Sequence, residues 1–429
     1  MSDRPELPAA IASRADLDAF LAATTNYEEK LPRDPLRKAL DLGRVEALLA
    51  SVGDPQAGPR TVHIAGSKGK GTVARMVAAG LRAAGRGPVG LFTSPHLEDL
   101  AERIAIDGVP ASDEAMNRAA TQVLPHVRTV QGTQDAPTFF ELFTAIAWLV
   151  FVEAGCSDVV LETGMGGRLD STNVCVPAVT VITLIELEHT RLLGDTLAKI
   201  AAEKAGILKT GVPTVTIPQD EEALEVIRTR AGEVGSTLVL ADGNVPQDVR
   251  LPGVHHAVNA RAAYETLRLL GVDAEVAWRG IGATELPGIL EVVAEQPRVV
   301  VDGAHTPRSA EATRAAVATR WPTEPVVLLT AMLDEKDVAG VVAALAHDVT
   351  HVVITRVDSP RCIPPADLAG RVEPVVTAPI RVEADLLAAL AHARALAGPT
   401  GLVLVAGSIY LAGAVRTLAR GGHAGALGD

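Results

Sequence analysis

The chain alternates short β-branched segments with helical patterns in two long stretches, and this alternation limits the fold more than any other feature. The predicted buried strands of the first stretch are residues 61–65, 89–93, 158–161 and 179–185. Those of the second stretch are residues 299–301, 326–329, 352–354 and 402–405. Alternation of this kind predicts mostly parallel sheets with helices on both faces. We therefore predict an α/β fold for both stretches.

With 429 residues the chain is too long for one ordinary hydrophobic core, so two domains are expected. Between the two stretches lies a glycine-rich segment, residues 280–288, whose composition is typical of a loop. Domain boundaries usually fall in such segments. We therefore place a hinge there and predict domains at residues 1–284 and 285–429.

Composition argues against several classes of protein. The net charge of −13, from 39 basic and 52 acidic side chains, differs from the basic excess that is usual in nucleic-acid binders. Cys156, Cys175 and Cys362 are far apart and predict neither a disulfide framework nor a zinc site. The N-terminus lacks the pattern of a signal peptide, and no stretch approaches the ~18–20 apolar residues that cross a bilayer. We expect a cytoplasmic protein without nucleic-acid or membrane partners.

The most specific single motif is a glycine-rich loop that directly follows a predicted strand and directly precedes a predicted helix. This loop, residues 66–72, reads Gly66-Ser67-Lys68-Gly69-Lys70-Gly71-Thr72. Small residues let backbone N–H groups converge on phosphate oxygens, and the helix N-terminus adds positive potential. Lys70 would reach the terminal phosphates, and Thr72 would either cap the helix or bind Mg²⁺. A simple glycine-rich turn is the alternative, but this order of strand, loop, lysine and helix favours phosphate binding.

Polar side chains follow three further predicted strands. Glu162 ends one of them, and a Gly-Gly-Arg-Leu-Asp sequence follows it and ends at Asp170. Carboxyl ends of parallel strands open into the ligand crevice, so a functional role for Glu162 is favoured over that of a surface acid. His189 would either ligate a divalent ion or cap its loop. Asp302 would accept ribose hydroxyls and His305 would face phosphates, unless Asp302 only caps a helix.

A lysine lies on the apolar face of a predicted helix. Leu197, Ile200, Ala201 and Lys204 are spaced as one helical face, so Lys204 points away from solvent. A buried ammonium group is costly unless it is paired or modified. The alternative is that its long stem carries the charge past the end of the helix, because Gly206 lies just beyond. Spacing alone leaves both possibilities open.

Taken in order, these segments resemble the folylpolyglutamate synthase/dihydrofolate synthase family, relatives of the Mur ligases that build peptidoglycan. The resemblance extends from about residue 26 to residue 413, and the ordered series is far more specific than any one motif. Its markers include residues 26–28, 66–72, 92–96, 102–104, 138–141, 162–170, 189–190, 203–206, 259–260, 302–305, 336–337, 360–361 and 407–410. It implies a Mur-ligase-like P-loop ATPase domain with a mostly parallel sheet, followed by a smaller Rossmann-like glutamate-ligase domain.

The resemblance also implies roles for individual residues. It assigns the phosphates of ATP to Lys70 and the backbone of the 66–72 loop. The residues that match the family's Mg²⁺ ligands are Ser94, Glu162 and His189. The residues that would approach the nucleotide from the linker side are Asn259, Asp302 and His305. Those that fall where the family holds the pterin are Thr138, Phe140 and Asp170.

Lys204 matches a lysine that is carbamylated in this family. Carbamylation would convert a costly buried cation into an anion that is able to bind Mg²⁺. We expect Lys70, Lys204 and His305 to be the catalytic residues. A monovalent cation such as K⁺ is implied by the resemblance alone.

The implied activity is ATP-dependent addition of L-glutamate to dihydropteroate, to reduced folates, or to both, through an acyl phosphate. The protein would act as a monomer on pterin or folate and glutamate. A Mur-type amide ligase for another carboxylate is one alternative, because the scaffold does not fix the acceptor. A nucleotide-binding protein that has lost ligation is the other, because Ile289 stands where the family carries an arginine.

Overall fold

The computed structural model describes residues 7–28, 40–247, 249, 251, 253, 256–334 and 336–421. The chain divides into two compact units. Most described residues up to Thr284 form the first unit, and those from Glu285 onward form the second. The short segment Leu97–Asp99 belongs to the second unit. The main division of the chain therefore lies between Thr284 and Glu285.

The first unit contains one sheet and the helices that cover it. Its strands β1 to β8 are Arg60–Ala65, Val89–Phe92, Ile104–Ile106, Val109–Pro110, Asp158–Glu162, Val179–Ile182, Thr214–Thr216 and Leu238–Leu240. Its helices, numbered α1 to α10 over the described residues, are Arg14–Ala22, Leu42–Ala50, Lys70–Ala83, Asp113–Val130, Phe139–Glu153, Thr190–Leu193, Leu197–Ala205, Glu221–Glu233, His256–Leu269 and Ala274–Gly282. Its short 3₁₀ helices are Pro55–Ala57, Leu100–Arg103 and Ser171–Val174.

The strands of the first sheet run in the order β4-β3-β2-β5-β1-β6-β7-β8. All neighbouring pairs are parallel except β2–β3 and β3–β4. Ile64 of β1 pairs with Glu162, and Phe92 of β2 pairs with Leu161. The carboxyl ends of β2, β5, β1 and β6 therefore meet at one edge of the sheet, where ligand sites of such sheets form.

Helix α3 packs tightly against α10, and this contact corrects one sequence prediction. Residues 280–282, predicted to be part of a loop, form the last turn of α10. A Cβ atom on Gly280 would lie only 2.6 Å from the Cα of Gly80 in α3. The glycines of this segment thus serve close helix packing, which composition alone cannot distinguish from a loop.

The second unit contains a six-stranded sheet with the order β13-β12-β11-β14-β10-β9, in which only β9 is antiparallel to its neighbour. Its strands β9 to β14 are Glu291–Glu295, Arg298–Val301, Val326–Thr330, His351–Ile354, Ile380–Val382 and Leu402–Ala406. Its helices α11 to α15 are Pro307–Arg320, Val338–Leu345, Pro365–Val372, Leu386–Ala397 and Ile409–Ala419, and Glu373–Val375 is a 3₁₀ helix. Apolar side chains on both faces of this sheet form separate cores.

The predicted α/β fold with mostly parallel sheets is confirmed. Each of the strands β10, β11, β12 and β14 buries at least three consecutive residues, as expected when helices cover both faces of the sheet. Within the described residues, no helix is both long enough and apolar enough to cross a membrane.

Candidate active site

The 66–72 loop connects β1 to α3 through two glycines that leave no room for a side chain. Gly69, which directly precedes α3, has a φ of 87°, in the left-handed region that favours glycine. A Cβ atom on Gly66 would lie 1.8 Å from Thr183 Oγ1. A Cβ atom on Gly69 would lie 2.5 Å from Asn259 Oδ1 in α9. The loop can therefore take this close-packed shape only with glycine at these positions, and Asn259 lies against it.

Hydrogen bonds to the segment after β6 fix the start of this loop. The backbone N–H groups of Ser67 and Lys68 both donate to Leu184 O, at 2.7 and 3.2 Å. The Ser67 hydroxyl donates to Glu186 O at 3.0 Å and accepts from Glu186 N at the same distance. A loop held in this way presents the N-terminus of α3 in a fixed position, as an anion site requires.

Glu162 faces the first turn of α3 from the end of β5. Its side chain is only 4% exposed, and Ser94 N donates to Oε2 at 3.1 Å. Lys70 Nζ lies 3.9 Å from Oε1, and a Cβ atom on Gly71 would lie 3.2 Å from Oε2. Burial raises the pKa of the Glu162 carboxyl, while Lys70 and the Ser94 N–H act in the opposite direction. The structure thus brings three residues of the sequence prediction together.

Two other predicted metal ligands, Thr72 and His189, differ in their exposure. Thr72 is buried in the first turn of α3, next to Gly71. His189 is exposed, has a φ of 45° and directly precedes α6, in the segment that follows β6. Over the described ranges, no group of three or more His, Cys, Asp or Glu side chains is placed to hold a metal ion.

Lys204 is buried rather than directed past the end of its helix. It is 1% exposed in α7, and Nζ donates to Gly66 O at 2.8 Å and to Glu188 Oε1 at 2.7 Å. Burial lowers the pKa of Lys204 to about 8, against the opposing effect of Glu188. Burial alone would raise the pKa of Glu188, but the ammonium groups of Lys204 and Lys70 bring it below its ordinary value. The lysine therefore contacts the first residue of the 66–72 loop through a hydrogen bond to its carbonyl and forms a charged pair with Glu188.

The three residues predicted to hold the pterin border one region of the first unit. Thr138 caps α5 by accepting from Glu141 N, and Phe140 lies in the first turn of that helix. A Cβ atom on Gly164 would lie 2.5 Å from Cζ of Phe140, so the ring covers the segment after β5. Asp170 is buried at the end of that segment. Burial raises the pKa of its carboxyl, although hydrogen bonds from the chain oppose this effect.

Two predicted residues lie in the second unit. Asp302 Oδ1 accepts from Ala304 N and Thr313 Oγ1, both at 2.9 Å, and Oδ2 accepts from Leu290 N at 3.0 Å. His305 Nδ1 lies 2.8 Å from Gly303 O, and because a carbonyl only accepts, Nδ1 carries the proton. Asp302 thus organises the turn after β10 that presents His305.

Comparison with known proteins identifies the family. The Mur ligase middle domain model matches residues 64–241, and the Mur ligase glutamate ligase domain model matches residues 290–409. The dihydrofolate synthase/folylpolyglutamate synthase of Bacillus subtilis is 32% identical over 407 residues, which cover 87% of this chain and 94% of that protein. The chain belongs to the folylpolyglutamate synthase family of the Mur ligase superfamily.

A solved structure of this family extends the match to the fold. Escherichia coli FolC in complex with DHPP and ADP has a TM-score of 0.84 and 29% identity, covering 96% of this chain and 99% of that chain. The probable bifunctional folylpolyglutamate synthase/dihydropteroate synthase of Haloferax volcanii is 36% identical over 402 residues. The chain covers only 48% of that relative, about half of its length. The two relatives and the solved structure therefore agree on the family, although the H. volcanii protein is about twice as long as the part that this chain matches.

One residue of this folylpolyglutamate synthase family member escaped the sequence analysis. Arg75 lies one helical turn after Gly71 on α3, and its nearest acidic groups are Glu162 and Glu102. Burial lowers the pKa of Arg75, and these two carboxylates oppose the effect. Within the described chain its side chain makes no hydrogen bond or ion pair, so it adds a cation beside Glu162. The i, i+4 spacing from Gly71 was the available signal.

Proposed function

We propose that the protein is an ATP-dependent, ADP-forming ligase that joins L-glutamate to dihydropteroate, to reduced folates, or to both. Family membership supports the reaction class, and the names of the relatives support glutamate and a pteroate or folate as substrates. The ADP and DHPP in the E. coli FolC structure support a nucleotide and a pterin-type acid. Use of ATP favours action in the cytoplasm, and we expect a monomer.

One observation carries this proposal. Lys70, Ser94, Glu162 and Lys204 converge on the 66–72 loop at the carboxyl edge of the first sheet. These residues come from four separate segments, and Lys70, Glu162 and Lys204 carry charged groups with little exposure. Such groups are costly to bury, which makes a purely structural role a poor explanation.

The proposed reaction has two steps, because a carboxylate is a poor electrophile. The carboxylate of the pteroate or folate attacks the γ-phosphorus of ATP, which yields an acyl phosphate and ADP. The amine of glutamate then attacks the acyl carbon, and phosphate leaves. The backbone N–H groups of the 66–72 loop and the Lys70 ammonium would hold the phosphates and offset the charge that develops on them. Because an acyl phosphate hydrolyses readily, the site must also exclude water.

The residues present fit a magnesium ion. Mg²⁺ is usually held by one or two carboxylates together with substrate phosphates and water, and Glu162 supplies a buried carboxylate beside the loop. We propose Ser94, Thr72 and His189 as its other protein ligands. When bound, Mg²⁺ would neutralise negative charge on the nucleotide phosphates. A potassium ion is proposed from family resemblance alone.

We also propose that Lys204 accepts carbon dioxide as a carbamate. Only the neutral amine reacts with CO₂, and the lowered pKa of about 8 supports a larger neutral fraction than an ordinary lysine has. The measurement is intact-protein mass spectrometry after equilibration with ¹³C-bicarbonate. A Lys204→Arg variant is the control, because its guanidinium cannot form this carbamate. Equal masses for both proteins, apart from the substitution, would refute the modification.

A coupled assay of ADP release tests the function. We expect ADP release that requires both L-glutamate and either dihydropteroate or tetrahydrofolate, with Mg-ATP and bicarbonate present. Glu162→Gln should lower kcat by about a hundredfold or more, because it removes the charge beside the phosphates. Asp195→Asn, which changes an exposed acid, is the matched control. Failure of every pteroate and folate to stimulate ADP release would disprove the substrate assignment.

A ligation-deficient nucleotide-binding protein is the second candidate, because Ile289 replaces a family arginine. Isoleucine cannot supply the guanidinium that such a position offers to phosphates. This candidate predicts ATP binding without glutamate-dependent turnover, and a gain of turnover in Ile289→Arg. Turnover by the natural chain would exclude it. A panel of other carboxylates in the same assay tests a Mur-type ligase with a different acid substrate.

A further inference from the structure

A buried histidine lies behind the proposed acid pocket and is not used by the chemistry above. His63 is in the middle of β1, is fully buried, and has Nε2 2.8 Å from Thr172 Oγ1. Thr172 Oγ1 in turn lies 2.5 Å from Asp170 Oδ1. Three side chains thus form a continuous path of hydrogen bonds from the centre of the sheet to Asp170.

The direction of these hydrogen bonds follows from the number of protons. The Asp170 carboxylate also accepts from the N–H groups of Thr172 at 3.1 Å and Met165 at 2.9 Å, and such bonds favour its ionised form. The Thr172 hydroxyl donates its single proton to Asp170 Oδ1. His63 Nε2 must then donate to the Thr172 oxygen. The other ring nitrogen, Nδ1, has no partner among the described residues, which fits a neutral ring.

Asp170 connects this path to the segment after β5. A carboxylate offers about four acceptor positions, and three are filled from Thr172 and Met165. The bond from Met165 N fixes the segment 163–167, which includes Gly164 under the Phe140 ring. The path therefore sets both the orientation of Asp170 and the surface below Phe140.

A second path from the same 3₁₀ helix reaches Phe140. Thr144 Oγ1 donates to Phe140 O at 2.7 Å, so its contact with Ser171 Oγ, also 2.7 Å, must use the serine proton. Ser171 and Thr172 are neighbours, and the Ser171–Val174 helix begins after Asp170 as its cap. Phe140 and Asp170, which border the proposed pocket, are thus both connected by hydrogen bonds to the Ser171–Val174 helix. His63 contacts the same helix through Thr172.

We propose that His63 is a positioning residue for the acid substrate, which it never contacts, acting through Thr172 on Asp170 and on segment 163–167. The inference rests on the proposed function, because it takes the region around Phe140 and Asp170 as the pocket for the pterin-type acid. It assigns to a residue of β1 a role that is distinct from phosphate binding.

Two variants at His63 separate positioning from simple packing. His63→Leu fills the space but removes the donor, whereas the side-chain amide of His63→Gln places an N–H donor near the position of Nε2. We expect His63→Leu to raise the KM for pteroate about tenfold or more, the loss typical of a hydrogen bond in a charged network. The KM for ATP should change less than about twofold, because the phosphate loop is unaltered. His63→Gln should restore most of the pteroate affinity.

Hydrogen–deuterium exchange gives a readout that does not depend on the substrate. Amides of residues 163–170 should exchange about tenfold faster in His63→Leu than in the natural protein or in His63→Gln. Thr180→Val is the matched control, because Thr180 pairs with His63 across β1 and β6 and its buried hydroxyl bonds only within the β6–β7 side. It should leave this segment unchanged.

The outcomes distinguish the proposed function from the proposed role of His63. Absence of pteroate turnover in the natural protein would refute the proposed function, while faster exchange of residues 163–170 in His63→Leu alone would still support the hydrogen-bond path. Unchanged exchange and an unchanged pteroate KM in His63→Leu would overturn the inference. Equal rises in both KM values, with equal effects of Thr180→Val, would also overturn it, because that pattern indicates a general loss of stability.

Discussion

Replacing Glu188 by glutamine tests whether the buried pair with Lys204 exists as described. The change keeps the size of the side chain but removes the negative charge that lies 2.7 Å from Lys204 Nζ. Within the part of the chain that the structure describes, the other hydrogen bond of this ammonium is to Gly66 O. Removing one partner of a buried pair typically costs about 3–5 kcal/mol. Because Glu188 is 19% exposed and partly solvated, we expect a loss of about 2–3 kcal/mol in the free energy of unfolding near pH 7.

The pH dependence of this loss follows from the lysine. The pKa of Lys204 is about 8 in the folded protein, below its ordinary value of 10.5. Between these values the unfolded chain holds a proton that the folded chain has lost, so stability rises with pH across this window. In Glu188→Gln the pKa of Lys204 in the folded protein should fall further, because the neighbouring negative charge is removed. The Lys204 ammonium of the variant therefore loses its proton at a lower pH than that of the natural protein. The difference between the natural protein and the variant should therefore shrink at about pH 9.5, where both lysines are largely neutral.

Urea unfolding followed by circular dichroism, at both pH values and without bicarbonate, measures this difference. Asp195→Asn is the control, because the Asp195–Lys199 pair is solvent-exposed and should contribute little. The same variants should be assayed for ADP release, since Lys204 also contacts the 66–72 loop. A loss in Glu188→Gln below about 0.5 kcal/mol, or one that is equal at both pH values, would contradict the buried ion pair.

Two pairs of glycine substitutions give further predictions. Gly69→Ala should weaken ATP binding about tenfold or more, because its Cβ would meet another side chain and its φ is unfavourable for alanine. Gly85 has a similar φ of 68° but open space around it, so Gly85→Ala should affect stability without affecting ATP binding. Equal ATP affinities of Gly69→Ala and Gly85→Ala in titration calorimetry would contradict the close fit at Gly69. Gly280→Ala should destabilise by about 1–3 kcal/mol through overpacking against α3, whereas Gly232→Ala, in a helix with open space, should stabilise by about 0.4–1 kcal/mol in urea unfolding. A Gly280→Ala protein as stable as Gly232→Ala would refute the close helix contact.

Sequence patterns predicted the longer parallel strands well because buried strands are β-branched runs with few alternatives. Strand β5, predicted as residues 158–161, extends one residue further to Glu162. Patterns did not predict the three-residue parallel strands β7, β8 and β13. They also did not predict β3, β4 or β9, which are short or only half-buried and pair antiparallel. Such strands depend on pairing with a neighbour, which is not encoded in their own periodicity.

For the candidate site, the spacing of residues in the sequence predicted which residues matter but not which side chains they contact. The helical face that includes Lys204 was predicted, yet the choice between burial and an exposed charge depended on Glu188, sixteen positions earlier in the chain. Likewise the contact between Gly69 and Asn259 joins segments that are distant in sequence. Contacts of this kind arise from strand order and helix packing, so they become visible only when the fold is known.

Hydrogen bonding separates the roles of the buried carboxylates in the first unit. Asp170 accepts hydrogen bonds from Met165 N, Thr172 N and Thr172 Oγ1. Most of its acceptor positions are therefore filled by nearby residues. Glu162 accepts one backbone N–H bond, and Lys70 Nζ, at 3.9 Å, is too far away for a hydrogen bond. A buried carboxylate with unfilled acceptor positions is costly unless a cation completes it. Of these two acids, we therefore propose Glu162 as the cation ligand and Asp170 as the residue that shapes the proposed pocket.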